Sequence, residues 1–427
     1  MIPALVRLTS IFVALSILLA GHGLQQTILP MAGNGMGWPA ATISLLGAGY
    51  FCGFIVGCYR VPAWIRRVGH ARVFSACGGL AAVAVLAFDF TTHATAWIAL
   101  RALTGFSFAG LYMVIESWLN SATPNERRGS VMSLYSLVSL LALTAGQFLA
   151  HLDLATGAVI SAIAFCLAIY PIALTGVAQP EVPKDVRLSY RVTYRASQVA
   201  PIASGVSGFV MGLAWSVGAV FATETLESPA AGSDFISLLL LGGICSLIPL
   251  GRLSDRVDRR FVIVGISLIG SVAGLYAWID QPTYKTLMIS AFVIGATAMP
   301  LYSLAIAHAN DNASTDFLVV GGTLLVANGI GAVSAPLVYA ALTATLWSHD
   351  IFFLFVGLGF FLNTVWTAYR LTVHSVARKY FEPYQPVSRT TLGAVELDPR
   401  AEHNESQNIS AGHNNTIYIG KEGSSSR

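Results

Sequence analysis

An arginine and a glutamate share one stripe of an otherwise apolar run, Arg101-Ala-Leu-Thr-Gly105-Phe-Ser-Phe-Ala109-Gly110-Leu-Tyr112-Met-Val-Ile-Glu116. At helical spacing, Arg101, Gly105, Phe108, Tyr112 and Glu116 fall within roughly 80° of one another. Charges on a run of hydrocarbon length are too costly to face lipid, so the stripe must look into a wet interior. Arg101 and Glu116 are separated by about 22 Å along a helix axis. They cannot pair, and must bracket whatever cavity the stripe lines. The guanidinium can hold an anionic group of a substrate or serve a proton relay; the alternative is an arginine snorkelling from the end of the run. The Glu116 carboxyl can carry a proton. The reading that its place near the end of the run favours is a gate or brace, paired with Arg127, Arg128 or an arginine of another turn. Gly105 and Ala109 allow a neighbouring helix to come close.

Further polar side chains lie inside apolar runs. Gly21-His22-Gly23-Leu24-Gln25-Gln26 places three at membrane depth in the first run. An imidazole there could titrate near neutral pH, and either amide could hydrogen-bond a substrate. Gln147, Trp215 and Asn328 are further cavity candidates, with helix-to-helix hydrogen bonding as their alternative. His308 and Asn310, at the end of a later run, read as structural. No phosphate-binding glycine loop, nucleophile elbow or metal-ligand cluster occurs, so no enzyme activity, cofactor or metal is expected. The five cysteines lie in or beside apolar runs without paired spacing, which reads as reduced thiols.

These residues need elements solvated by lipid. Of the 427 residues 55% are hydrophobic and 11% charged, against about 25% charged in soluble chains; mean hydropathy is +0.67. A span needs about 20 apolar residues, and twelve such runs occur: 8–29, 40–60, 72–90, 95–119, 130–150, 155–177, 199–223, 234–250, 261–280, 284–307, 317–343 and 350–373. The first follows Arg7 but lacks a good cleavage region, so it is expected to be a retained span. Arg60, Arg66, Arg67 and Arg72, then Arg127 and Arg128, fall in alternate connections. The other set carries Asp89, Asp153, Glu224 and Glu227, with Lys285 its only lysine or arginine. Short basic connections stay in the cytoplasm, which places both termini there. The aromatic-rich twelfth run, with Phe352, Phe353, Phe360 and Phe361, is expected to face lipid.

The densest charge is Gly251-Arg-Leu-Ser-Asp255-Arg256-Val-Asp258-Arg259-Arg260, between two apolar runs. In hydrocarbon each charge would cost about 2.5–3.5 kcal/mol, so the stretch must be a tight aqueous turn. Gly105-x4-Gly110-Leu-Tyr112 with Asn120 returns, 190 residues on, as Gly295-x4-Pro300-Leu-Tyr302 with Asn310. Arg67-Val-Gly-His likewise aligns with Arg256-Val-Asp-Arg. This duplication, an all-α membrane protein of two pseudo-symmetric six-helix bundles, divides the chain into 1–178, a cytoplasmic linker 179–197, a second bundle 198–375 and a tail 376–427. The tail lacks a helical stripe and is expected to be disordered. Its Asn-x-Ser/Thr triplets at Asn404, Asn408 and Asn414 read as chance.

The charged turn resembles the loop signature of the major facilitator superfamily, Gly-x-Leu-Ala-Asp-Arg-x-Gly-Arg-Arg. Gly251, Leu253, Asp255, Arg256, Arg259 and Arg260 match it; Ser254 and Asp258 depart. In the first half Arg66 stands where Asp255 does, so the family's latch role passes to Asp255 alone. Arg101-x3-Gly105-x3-Ala109 is similar to the fourth-span arginine motif of proton-coupled members. Glu116-Ser-Trp-Leu-Asn120, Gly146-Gln147 and Pro300-Leu-Tyr-Ser-Leu-Ala resemble the YcaD-like bacterial branch. Ala145-Gly146-Gln147 replaces the Gly-Pro pair of many drug/proton antiporters, which argues against an efflux pump. The resemblance implies a secondary transporter of a small molecule in the bacterial inner membrane, monomeric and coupled to protons, with alternating access between bundles. It implies a cytoplasmic gate of Arg66, Arg67, Arg128, Asp255, Arg256, Arg259 and Arg260, and no nucleic-acid partner. A solute sensor or assembly factor on the same fold is the alternative.

Overall fold

The computed structural model describes residues 2–124, 127–150, 152–175, 180, 188–280, 283–311, 317–345 and 351–373, and in the tail 384, 386–387, 389–391 and 394–395. Twelve of its helices are long and apolar enough to cross a membrane. They are α1 (Leu8–Gly35), α2 (Ala40–Val68), α3 (His70–Phe90), α4 (Ala94–Ala122), α5 (Arg128–Gln147) and α6 (Leu154–Ala173), then α7 (Ala200–Leu226), α8 (Pro229–Arg256), α9 (Arg259–Ile279), α10 (Tyr284–Asp311), α11 (Phe317–Ala344) and α12 (Ile351–Val373). No strand occurs among the described residues. A helix meets every backbone hydrogen bond internally, as hydrocarbon demands. The chain turns large apolar side chains outward, among them Leu268, Ile269, Val272, Leu362 and Val365, and keeps Arg101, His22, Gln25, Gln26 and Gln147 inside. This inversion is what lipid solvation requires.

Small residues set the helix pairs. A Cβ at Gly53 would run into the Ala102 main chain, and one at Gly105 into that of Tyr50, so α2 and α4 touch backbone to backbone. In the second half Gly242 meets Phe292 and Gly295 meets Leu239, which packs α8 on α10 in the same way. The pairs α1·α5 and α7·α11 close similarly, through Gly23 and Gly146 and through Gly208 and Gly331. Two six-helix lobes result, joined by α2 against α11 and α5 against α8. The connections with acidic side chains gather at one end and the basic turns at the other.

Helix α8 runs on through Arg256, so most of the expected aqueous turn is helical and only Val257 and Asp258 break it. Val257 is extended and ends α8; Asp258 then caps α9 by accepting from the Arg260 N–H at 2.9 Å. The corresponding break between α2 and α3 falls at Gly69, whose φ of 86° suits glycine.

Two expectations fail. Phe352, Phe353 and Phe360 are buried, and only Phe361 is exposed. Phe352 stacks on Phe221 at 4.9 Å and both Phe352 and Phe353 contact Phe235, because aromatic edges and faces attract once packed. In the tail, described residues between 384 and 395 are packed inside the protein, held by hydrogen bonds a stripe-based reading does not register. Residues 179 and 181–187 of the expected linker, and the three asparagine triplets, lie outside the described residues. Beyond them, Tyr190–Ala196 forms a short helix capped by Ser189.

Candidate functional site

A cavity of about 470 Å³ lies between the lobes, within the usual range for small-molecule sites of about 300–1,000 Å³. Its wall takes His22, Gln26, Tyr50 and Tyr112 from the first lobe and Trp215 and Asn328 from the second. Aromatic and aliphatic surface dominates, with few polar groups. At the acidic-loop end α2 closes on α7, where a Cβ at Gly47 would collide with Ser216. Toward the basic end the lining continues to Cys58, Pro62 and Arg66.

At depth, α1, α2 and α4 bring four polar side chains together. One Arg101 nitrogen donates to Gln26 Oε1, and the guanidinium lies 4.7 Å from the centre of the Tyr50 ring. The Tyr50 hydroxyl hydrogen-bonds His22 Nε2 at 3.1 Å. The imidazole stacks on Phe108 at 3.8 Å. Arg101 is 2% exposed, yet its Nε and Nη1 make no hydrogen bond, nor does His22 Nδ1. Buried donors left open are expensive. Arg101 itself sits behind the wall, in contact with Gln26 and Tyr50, which line it. Gln25 lies beside His22, its amide without a hydrogen bond of ordinary geometry.

Glu116 is fully buried nearer the basic end. Hydroxyls hold it: Tyr135 donates at 2.8 Å, and Thr390 and Thr391 each donate to one carboxylate oxygen. The expected pairing with Arg127 or Arg128 is not what occupies it among the described residues. Tyr112 lies between the two depths, in the cavity wall. Gln147 is not brought to the cavity: it donates to the Gly23 carbonyl at 2.8 Å and accepts from Thr27 at 2.6 Å, tying α5 to α1. Asn328 lines the cavity while donating to the Ser204 carbonyl at 3.0 Å. Trp215 lies in a π turn of α7, Ala214–Gly218.

The basic end is a network. Arg259, wholly buried, donates to Asp311 at 2.6 Å, Ser254 at 2.9 Å and Asp255 at 3.1 Å, so it ties the α8–α9 turn to the end of α10. Asp255, the expected latch, also accepts from the Tyr384 N–H of the tail at 2.9 Å. Arg260 grips Asp258 at 2.7 Å. Burial raises the Asp258 carboxyl, but the side-chain and backbone hydrogen bonds from Arg260 outweigh it and hold the group below the usual range. Arg66, Arg67 and Arg256 are exposed at the turns, and Arg128 opens α5. His308 is buried at this end; Asn310 is half-buried.

Sequence reasoning missed Tyr50, a lone tyrosine in an apolar run that carries no motif. It also missed Ser303 and the tail residues Tyr384, Arg389, Thr390 and Thr391. The faint signal there was a β-branched cluster, Val387 to Val395, in an otherwise polar tail.

The family model described as Major Facilitator Superfamily matches residues 11–192 and 202–400. The chain belongs to the major facilitator superfamily. This facilitator is 24% identical over 347 residues to an MFS-type transporter of Yersinia pestis, covering 78% of this chain and 88% of that one. With the MFS-type transporter YcaD of Salmonella newport it shares 22% over 347 residues, 78% and 87% of the two chains. Its fold matches the solved nucleoside transporter NupG with a TM-score of 0.68 at 11% identity, covering 87% of this chain and 100% of that one. A bacterial homologue of the lysosomal transporter Spinster, solved inward-facing, matches at 0.64 and 11%, covering 93% and 97%. The facilitator is thus a multi-pass membrane transporter of a small molecule, in a family of transporters and not of enzymes.

Proposed function

We propose that this facilitator is a secondary active, proton-coupled transporter of the bacterial inner membrane, monomeric, with its basic turns and both termini in the cytoplasm. It works by alternating access, the two lobes rocking about the central cavity. One observation carries the reading: a cavity walled by both lobes, sealed at the acidic-loop end, with two buried charged groups at different depths. Arg101, Gln26, Tyr50 and His22 form the recognition corner: Gln26, Tyr50 and His22 face the substrate, and Arg101 holds Gln26 and Tyr50 from behind. Glu116, set among hydroxyls and away from that corner, carries the proton. Arg259 with Asp255 and Asp311 holds the cytoplasmic gate.

The test starts with a thermal-shift screen of purified protein against metabolite and drug libraries, and takes stabilising compounds into proteoliposomes. A pH gradient should drive their flux, and collapsing it should abolish that flux. Flux indifferent to the gradient, and unchanged in Glu116→Gln and Arg101→Ala, would overturn proton coupling.

A second reading, a solute sensor or assembly factor, draws on the tail segment at the cavity floor. Ending the chain before residue 384 separates the two: a transporter keeps its flux or gains flux, whereas a sensor loses its output.

A further inference from the structure

The tail segment behaves as a bound ligand of the facilitator's own transport path. Tyr384 starts it at the basic end, its ring filling the space above Gly251, where a Cβ would collide with it. The Tyr384 N–H donates to both oxygens of Asp255, at 2.9 and 3.1 Å. Further in, the Val387 N–H donates to Ser303 Oγ at 3.2 Å while that hydroxyl donates to the Val387 carbonyl at 3.1 Å. Arg389 then reaches Ser207 of α7 at 3.1 Å, and Thr390 and Thr391 take Glu116 of α4. Val395 ends the path over Gly321 of α11.

Three features separate this from a tail draped on a surface. It engages both lobes, with Glu116 on one side and Asp255, Ser303 and Ser207 on the other. Its contacts reach buried groups: Glu116, Ser303 and Ser207 are each 0–1% exposed. Arg389 and Thr390 also form part of the cavity wall, so the segment lies across the route from the cavity to the basic end. Among the described residues α4 and α10 form no extended interface; the segment stands between Glu116 of one and Ser303 of the other.

We propose that the described tail residues, Tyr384, Val387, Arg389 to Thr391 and Val395, form an autoinhibitory wedge, seated between α4 and α10, that holds the two lobes apart at the basic end and closes the cavity mouth. In the alternating-access reading, on which this inference rests, the lobes must meet at that end to release the acidic-loop seal. They cannot do so with the wedge in place. The wedge also takes the Glu116 carboxylate from its exchange partners. Transport therefore requires the segment to leave, and whatever draws the tail away switches the protein on.

The test needs no substrate. Gly329 lines the cavity, and a Cβ there would meet only the tip of Ile55 at 3.6 Å. Gly329→Cys, in a background with the five native cysteines replaced, is a reporter. Purified protein in nanodiscs is treated with a water-soluble methanethiosulfonate and modification at Gly329→Cys is read by peptide mass spectrometry. The full chain should label slowly; ending it at residue 383, or blocking the Val395 seat with Gly321→Leu, should raise the rate at least about tenfold. Ser303→Cys with Val387→Cys should cross-link in the full chain under mild oxidation. That cross-link should keep labelling slow until it is reduced. Equal labelling in full and shortened chains, or no cross-link, would overturn the wedge. Neither result bears on proton coupling, which the flux measurements decide separately.

Discussion

Replacing Arg259 should destabilise the second lobe more than any other single charge change at the basic end. The side chain is 0% exposed, and its partner Asp311 only 6%. Removing one member of so buried a pair strands the other, which costs about 3–5 kcal/mol. Asp255 is 30% exposed and reached by water, so its share of the pairing is about 0–1 kcal/mol. Arg259→Ala is therefore expected to lose about 3 kcal/mol or more, and Asp255→Ala about 1 kcal/mol. Arg259→Lys keeps the charge but not the fork that serves Asp311, Ser254 and Asp255 together, and should fall between them. The assay is reversible unfolding in mixed micelles followed by tryptophan fluorescence. A double-mutant cycle with Asp311→Asn isolates the pair. A coupling of about 1.5 kcal/mol or more is expected. A coupling below about 0.5 kcal/mol would show that Arg259 does not tie the α8–α9 turn to α10, and the reasoning would be wrong.

Glu116→Gln should abolish gradient-driven accumulation of a transported compound while leaving its passive equilibration; loss of both, with normal folding, would deny the carboxyl a proton-carrying role. Tyr50→Phe removes the partner of His22 Nε2 and should cost about 1–3 kcal/mol of stability, together with the thermal shift given by a bound compound. Gly105→Leu and its counterpart Gly295→Leu should each cost at least about 1–3 kcal/mol by parting paired helices. A large effect at one and none at the other would break the symmetry of the lobes. Because the Asp258 carboxyl is held low, it stabilises the fold above the ordinary carboxylate range, and that contribution disappears as pH falls through its lowered value. Stability measured from pH 7 down to pH 3 should decline less steeply in Asp258→Asn than in the parent; parallel curves would refute this.

The architecture could be read from the chain because hydrocarbon enforces it. Each span must reach a minimum length and be nearly free of charge, and the duplicated Gly105 and Gly295 mark the same crossing in each lobe. Boundaries at the turns were less legible: α8 carries Arg252, Asp255 and Arg256 beyond lipid depth, and hydropathy stops where helix does not. The site was readable one residue at a time. Arg101, His22 and Gln26 stood out as polar groups in apolar runs, but that they meet at Tyr50 depends on how α1, α2 and α4 cross. Gln147 looked like a cavity residue and serves a helix contact, since sequence does not say which way an amide turns. The tail was illegible for a different reason. Its partners, Glu116 and Ser303, lie far upstream, and no periodic pattern marks a segment held by scattered hydrogen bonds.

The π turn at Ala214–Gly218 gives α7 one more residue than a regular helix would have over that stretch. Relaxing it to ordinary winding would slide everything on one side of it by about 1.5 Å and swivel it by about 100°. Trp215 of the pocket and Ser216, lodged against Gly47, are both within those five residues. A single slip of register would therefore shift the chamber wall and the Gly47 contact together.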